Sequence, residues 1–180
     1  MKLPPQLLVA THNPGKLAEW RLLLEPWGVE LVTPKDRGLP EPEETQTSYR
    51  GNARLKAVAA AAHTGMPALA DDTGFEADAL DGAPGVLTAP WADAHGGYPA
   101  ALQRLIEQAG AGTPARLVCA VALSMNDDTV VAQASIEGVV RAEPVEAPGF
   151  AAVLDSGARP CLVDGVLAHR RAAFERLISR

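Results

Sequence analysis

The stretch MPALADDTGFEADALDGAPGV, residues 66–86, mixes short apolar runs with paired acids and ends in a glycine- and proline-rich turn. Its pattern predicts two short strands, at 66–71 and 74–80. Asp71 and Asp72 then lie together at a strand end, where two carboxylates are costly unless a cation is near. The stretch predicts a sheet with an acidic site at its edge, although adjacent aspartates are also common in solvated turns.

The remaining sequence interleaves strand and helix patterns without strict alternation. Apolar periodicity and helix stop signals predict strands at 6–11, 29–33, 116–124 and 130–140, and helices after Asn13, from Ser48 to His63, at 98–109 and at 169–179. Asn126, Asp127 and Asp128 lie between the last two strands and predict a hairpin turn. The fold class is therefore mixed α/β, and we expect a single domain over 1–180.

Composition excludes several classes of protein. Apolar residues make up 47% and charged residues 21% of the 180, which is typical of a chain that folds unaided. The net charge of −6 argues against nucleic acid as a partner, because such binding needs a broad basic surface. No signal peptide or membrane span is visible, and the two cysteines are far apart, so we expect reduced thiols in a cytoplasmic protein.

The first strand leads into Thr11-His12-Asn13-Pro14-Gly15-Lys16 and then a helix. Backbone N–H groups and the positive end of the helix dipole make such a junction an anion site, and Lys16 can add a charge to a phosphate. A capped helix start, with Asn13 as the cap and Pro14 in the first turn, explains the same residues without a ligand.

Magnesium in proteins is commonly bound by one or two carboxylates, and water and substrate phosphate complete its shell. A carboxylate that does not bind the metal can deprotonate the attacking water. Asp71 and Asp72 are the candidates, and we expect replacement of either by Asn to abolish activity without unfolding. Glu41, Glu43 and Glu44 lie in the long loop at 34–47, and one of them could complete a metal site.

Two other groups of polar residues are candidates. Asn52 and Lys56 are four apart on one helix face in an otherwise apolar segment, so Lys56 either projects into a site or extends to solvent. His169 and Arg170 begin the last helix, where the dipole disfavours cations. That placement indicates either a ligand or a basic surface patch.

Together these segments resemble the inosine triphosphate pyrophosphatase family, the non-canonical purine nucleoside triphosphate pyrophosphatases. The stretch 8–16 is similar to the family's Thr-Gly-Asn-x-x-Lys loop, with His12 in place of glycine. The stretch 43–57 is similar to its acidic loop and Asn-Ala-x-x-Lys-Ala helix, and 67–86 is similar to its most diagnostic block, with Thr73 in place of serine.

The resemblance implies a strongly twisted central sheet with flanking helices and two lobes around a cleft. It implies hydrolysis of a nucleoside triphosphate to a monophosphate and pyrophosphate, with Mg2+ as cofactor and a homodimer as the assembly. The catalytic residues would be Asp71, Asp72 and Lys56. Metal ligands would be Glu44, Asp71 and Asp72. The substrate would contact Thr11, Asn13, Lys16, Asn52, Lys56, Thr73, Phe150, His169 and Arg170.

The second half of the chain departs from the family pattern. Thr88-Ala89-Pro90 stands where the family has Ser-Ala-Arg, and Gly149-Phe150-Ala151-Ala152 replaces Gly-Phe-Gly-Tyr-Asp-Pro. The Lys-x-x-x-Ser-His-Arg signature survives as Ala168-His169-Arg170. Because these elements form the family's base pocket, we expect altered base selectivity, with Phe150 stacking and His169 and Arg170 donating hydrogen bonds. The alternative is a catalytically impaired nucleotide-binding or regulatory protein.

Overall fold

The computed structural model describes residues 1–40, 42–158 and 161–179. Residues 68–77 form one continuous strand, so the prediction of two strands with Asp72 and Thr73 between them is wrong. The break is absent because the strand Pro114–Met125 pairs with this strand along its whole length, from Ala68 opposite Ser124 to Ala77 opposite Ala115. Asp71 and Asp72 therefore lie within a central strand and not at its end.

The strands, in chain order, are β1 (Gln6–Val9), β2 (Glu30–Val32), β3 (Ala68–Ala77), β4 (Pro84–Gly85), β5 (Pro114–Met125), β6 (Asp128–Val140), β7 (Leu154–Asp155), β8 (Leu162–Val163) and β9 (Val166–Leu167). The helices are α1 (Pro14–Leu24), α2 (Tyr49–Thr64), α3 (Thr88–Ala94), α4 (Tyr98–Ala109) and α5 (Ala168–Ile178). Short 3-10 turns lie at 25–27, 35–37, 78–80 and 149–153. Glu41 lies outside the described residues.

Within the described residues, seven strands form one sheet in the order β2-β1-β3-β5-β6-β7, with β4 pairing on β3. β1 is parallel to β2 and to β3, because α1 and α2 are the crossover connections between them. The other pairings are antiparallel. The predicted mixed α/β class, with a strongly twisted central sheet and flanking helices, is confirmed.

Helices cover both faces of this sheet. On one face, Trp20 of α1 and Phe174 of α5 meet edge to face, 5.5 Å between ring centroids, over Leu69 and Val121. On the other face, Ala53 and Ala57 of α2 pack on small side chains of β3 and β5. Because side chains of a strand alternate between faces, neighbouring residues of β3 point into different layers.

A third apolar cluster lies around α3, α4 and the 3-10 turn at 149–153, with Phe75 and Phe150 at its centre. The sequence pattern does not indicate α3, because Pro90 interrupts it, although proline is tolerated in the first helical turn. The spacing of Leu17, Trp20, Leu24 and Trp27 predicts that Trp27 lies on the apolar face of the helix after Asn13. It lies instead in the 3-10 turn after α1 and is 51% exposed, because Pro26 disfavours a longer helix.

Several smaller predictions are confirmed. Asn126 and Asp127 have φ values of 52° and 62°, the left-handed conformation of a two-residue hairpin turn, and Asp128 is the first residue of β6, opposite Met125. Cys119 is buried, Cys161 is partly buried, and both are free. Among the described helices, none is both long enough and apolar enough to span a membrane.

Candidate functional site

A cavity of about 610 Å³ lies between the N-terminal loop, α2, β3 and the start of α5. This volume is in the usual range for a small-molecule site. Side chains predicted from distant parts of the sequence line it together, namely Thr11, Asn13, Lys16, Glu44, Lys56, Asp72, Thr73, Phe150, His169 and Arg170. The structure therefore brings most of the predicted residues to one place.

The two adjacent aspartates face different layers. Asp72 lines the cavity on the side of α2, whereas Asp71 points toward α1 and α5 and is not among the described lining residues. This division follows from their neighbouring positions in one strand. The three carboxylates predicted as metal ligands consequently do not come together. In the described part of the chain, no group of three or more His, Cys, Asp or Glu side chains is placed to hold a metal ion.

Asp71 is fully buried and surrounded by donors. Lys16 Nζ lies 2.8 Å and Arg170 Nη2 lies 3.4 Å from its Oδ2, and Trp20 Nε1 donates to its Oδ1 at 2.9 Å. Burial alone would raise the pKa of the Asp71 carboxyl, but the charges of Lys16 and Arg170 outweigh it and hold the pKa well below its ordinary value. Asp71 is therefore a fixed anion with both oxygens engaged, which is a poor arrangement for a metal ligand or a base.

Asp72 belongs to a different group, formed with α2 and the acidic loop. Lys56 Nζ lies 2.6 Å from Glu44 Oε1 and 3.3 Å from Asp72 Oδ1, and Asn52 Nδ2 donates to Asp72 Oδ2 at 3.2 Å. Lys56 does not extend to solvent, since 9% of its side chain is exposed. The position of Asn52, one helical turn before Lys56, explains why both reach the same carboxylate.

The electrostatics of this group leave an excess of negative charge. Burial raises the pKa of the Asp72 carboxyl, and the nearby Glu44 raises it further, against the opposing charge of Lys56. Burial would lower the pKa of Lys56, but Asp72, Asp71 and Glu44 together raise it, so its ammonium stays charged. Two carboxylates that share one ammonium fit a divalent cation, because magnesium needs only one or two protein carboxylates when phosphate and water complete its shell.

The N-terminal loop is a capped helix start. Asn13 Oδ1 accepts from the backbone N–H groups of Gly15 at 2.9 Å and Lys16 at 3.2 Å, and Thr11 Oγ1 accepts from the Asn13 N–H. Those donors of α1 are therefore satisfied within the loop, which confirms the interpretation of Asn13 as a cap. The charge that the loop offers to the cavity is the Lys16 ammonium, whose side chain is 21% exposed.

The start of α5 is buried, so the interpretation of His169 and Arg170 as a basic surface patch is wrong. Arg170 forms an ion pair with Glu19 of α1, and Glu19 Oε2 accepts from the Leu167 N–H at 2.8 Å. Glu19 thus supplies the negative charge that the first turn of α5 needs. Burial lowers the pKa of His169 to about 3, helped by the charge of Arg170, and its Nδ1 has no hydrogen-bond partner in the described structure.

Sequence reasoning missed Glu19 and Trp20 as parts of the site. Both lie on α1 within one turn of Lys16, and a glutamate beside the buried Trp20 was the available signal. Their partners are 51 or more positions away, so no local pattern identifies them. Thr73 also has a role not foreseen, because its Oγ1 lies 3.3 Å from Asp71 Oδ2 although the residue lines the cavity.

Comparison with known proteins shows the family to which the chain belongs. A model of the Ham1 family matches residues 7–151. A dITP/XTP pyrophosphatase of Bradyrhizobium diazoefficiens is 41% identical over 157 residues, which cover 83% of this chain and 74% of the relative. One from Rhodospirillum centenum is 38% identical and covers 97% of this chain and 93% of the relative.

Among solved structures, a HAM1 protein from Coxiella burnetii superimposes with a TM-score of 0.83 at 28% identity, over 98% of both chains. The matched residues include the N-terminal loop, α2 and β3, which carry Lys16, Lys56 and Asp72. The resemblance noted from the sequence is thereby confirmed, and the chain belongs to the Ham1 family.

Proposed function

We propose that the protein is a metal-dependent nucleoside triphosphate pyrophosphohydrolase that converts a non-canonical purine or otherwise modified triphosphate to the monophosphate and pyrophosphate. The observation that carries the proposal is the Lys56 ammonium held between Glu44 and Asp72 in a cavity that also contains Lys16 and Arg170. The relatives named dITP/XTP pyrophosphatase support the same reaction.

The charged residues of the cavity have different proposed roles in binding and in the reaction. Lys16, Lys56 and Arg170 offer positive charge to the phosphates, which are the groups where negative charge develops during phosphoryl transfer. Glu44 and Asp72 are the residues that would hold magnesium, which when bound supplies further neutralisation of the triphosphate. Asp71 keeps Lys16 and Arg170 in position and is not assigned a step.

Asp72 is the base in this scheme. The water oxygen bonds to the α-phosphorus while the bond from that phosphorus to the α–β bridging oxygen breaks. Asp72 takes the water proton, and pyrophosphate leaves with the bridging oxygen. Asn52 keeps the Asp72 carboxylate oriented through its 3.2 Å hydrogen bond.

A pyrophosphate-release screen over inosine, xanthosine, pyrimidine and modified purine triphosphates tests the proposal. We expect turnover with magnesium that EDTA removes, and a loss of about 100-fold or more in kcat/KM for Lys56→Met. Lys35→Met, an exposed lysine in a 3-10 turn, is the matched control and should retain full activity.

The outcomes separate the alternatives. Binding of a triphosphate with magnesium, seen by calorimetry without pyrophosphate release, would identify a catalytically impaired nucleotide-binding or regulatory protein. Absence of both binding and release would refute the proposal. A strict preference for inosine and xanthosine triphosphates would refute altered base selectivity alone. We further expect a cytoplasmic homodimer, as the resemblance implies, and sedimentation would test the assembly.

A further inference from the structure

Part of the cavity wall is formed by aromatic and apolar side chains, among them Phe150 and Tyr98. Phe150 lines it but is 3% exposed, because its ring packs against Phe75 at 5.4 Å, Trp91 at 6.0 Å and Tyr98 at 5.8 Å. Three neighbouring rings leave little of Phe150 free to stack on a ligand. The predicted stacking role of Phe150 is therefore reduced to contact through the small part of its surface that reaches the cavity.

Tyr98 is differently placed. It is the first residue of α4, it lines the same cavity, and 39% of it is exposed. Its ring meets Phe150 edge to face, with an interplanar angle of 63°, so Phe150 supports the ring from one side. Trp91, by contrast, packs on His95 at 4.2 Å between centroids and is not among the described residues that line the cavity.

Two glycines lie next to Tyr98, one before it in the chain and one across from its ring. Gly97 precedes it with φ of 91°, a conformation that L residues rarely adopt, and α4 begins directly after this glycine. On the other side, a Cβ at Gly149 would lie 3.3 Å from Tyr98 Cε1, so the glycine lets the ring approach the backbone of the 3-10 turn. The ring of Tyr98 therefore lies close to the backbone of the 3-10 turn as well as to Phe150, while part of it stays exposed.

The cavity lining contains residues of two chemical kinds. Lys16, Lys56 and Asp72 offer charge, whereas Tyr98 lies against Phe150 and close to Gly149, and Phe150 belongs to an apolar cluster. We expect a triphosphate to bind beside the charged residues, and a flat, weakly polar ring system to bind beside Tyr98.

We propose that Tyr98 is the aromatic residue that contacts the nucleobase and that it is a specificity-determining residue of the site. The inference deepens the proposed function and rests on it. Tyr98 stacks with its ring and offers its phenol as a hydrogen-bond partner to the base edge. The segment Gly149-Phe150-Ala151-Ala152 contains no tyrosine, and Tyr98 of α4 provides one at the same site. Burial raises the pKa of the Tyr98 phenol, with Asp93 adding to the effect, so the hydroxyl remains a donor.

Tyr98→Leu tests the stacking role, since leucine keeps an apolar cover over Phe150 but removes the ring. We expect KM for the best nucleoside triphosphate to rise about 10-fold, in line with the loss of one aromatic–base contact. The inhibition constant of inorganic tripolyphosphate, which has phosphates and no base, should stay within twofold. Tyr98→Phe should keep KM for the best substrate within about threefold but change the ranking of bases, because it removes only the hydroxyl.

Trp27→Leu is the matched control, because Trp27 is an exposed aromatic outside the cavity lining, and it should change neither constant. Equal KM values for Tyr98→Leu and the wild type would overturn the proposal. A parallel rise of the tripolyphosphate constant would also overturn it, since the variant would then disturb the whole site. Thermal unfolding of each variant confirms that it is folded.

Failure of the proposed function gives a different result. If the wild type releases no pyrophosphate from any triphosphate, the pyrophosphohydrolase assignment fails. The Tyr98 comparison is then made by calorimetry, with the Kd of the nucleotide in place of KM and tripolyphosphate again as the base-free reference. A 10-fold weaker Kd for Tyr98→Leu on the nucleotide alone supports base contact, and an unchanged Kd refutes it.

Discussion

Asp71→Asn and Asp72→Asn are adjacent, isosteric substitutions, of which the first should reduce the stability of the protein and the second its activity. Asp71 is completely buried with Lys16 and Arg170 against one of its oxygens. Removing its charge leaves two cations without their shared partner, and breaking a buried pair in this way costs about 3–5 kcal/mol. Because the amide oxygen of the Asp71→Asn variant would still accept the hydrogen bond from Trp20, we expect a loss near the lower end, about 3 kcal/mol.

Asp72→Asn removes a charge that the fold disfavours. Burial and the neighbouring Glu44 raise the pKa of Asp72, while Lys56 keeps Glu44 as its partner at 2.6 Å when the aspartate is replaced. We expect the free energy of unfolding to stay within about 1 kcal/mol of the wild type. Pyrophosphate release should fall by about 100-fold or more, because the proposed base is absent.

Urea unfolding at neutral pH measures both variants. With a slope of about 2–3 kcal/mol per molar, Asp71→Asn should lower the midpoint by about 1–1.5 M, and Asp72→Asn should leave it nearly unchanged. The deficit of Asp71→Asn should shrink in acid. The pKa of Asp71 is lower in the folded protein than the ordinary 3.8, so its stabilisation is present above that pH and is lost as the pH falls below it. Equal destabilisation by the two substitutions would refute the division of the pair between two layers.

Two further predictions concern His169 and Gly74. The pKa of His169 is lowered from 6.5 to about 3 in the folded protein, so stability should fall as the pH drops from 6.5 toward 3. The urea midpoint of His169→Gln should fall less steeply over this pH range. Identical pH profiles of the variant and the wild type would contradict this prediction. Gly74→Ala should destabilise by about 3 kcal/mol in the same assay, because its Cβ would lie 2.2 Å from the Gly85 carbonyl oxygen and 2.6 Å from Tyr49 Cε1. Gly15→Ala, at a helical position with one 3.2 Å contact, is the control and should change stability by less than about 1 kcal/mol. An equally mild effect of Gly74→Ala would contradict the close approach of Gly74 to Gly85 and Tyr49.

Local sequence patterns predicted the elements whose signals are themselves local. α4 begins and ends where its apolar period and flanking glycines indicate, and α2 begins after the Ser48 cap, whose side chain accepts from the Gly51 N–H. The β5–β6 hairpin follows from two β-rich runs around a turn with two left-handed residues. These features depend on residues within a few positions of one another, so a single sequence is enough to predict them.

The continuity of β3 was not predicted, because Thr73-Gly74 resembles a break when only its neighbours are considered. Pairing with β5 along ten residues overrides that local signal. This difference also affects the predicted site, because the sequence pattern placed Asp71 and Asp72 together as equivalent candidates. A continuous strand separates them, because its side chains alternate between faces.

By itself, the sequence determined the types of residues available for phosphate and metal chemistry and their order along the chain. It placed Lys16 at a helix start, Lys56 on a helix face and two aspartates in an apolar run. Tertiary structure alone decided that Glu19 would meet Arg170, 151 positions away, and that Tyr98 would lie beside Phe150. Such contacts depend on how helices pack on the sheet, and that packing is set by the burial of whole faces and not by any short stretch of sequence.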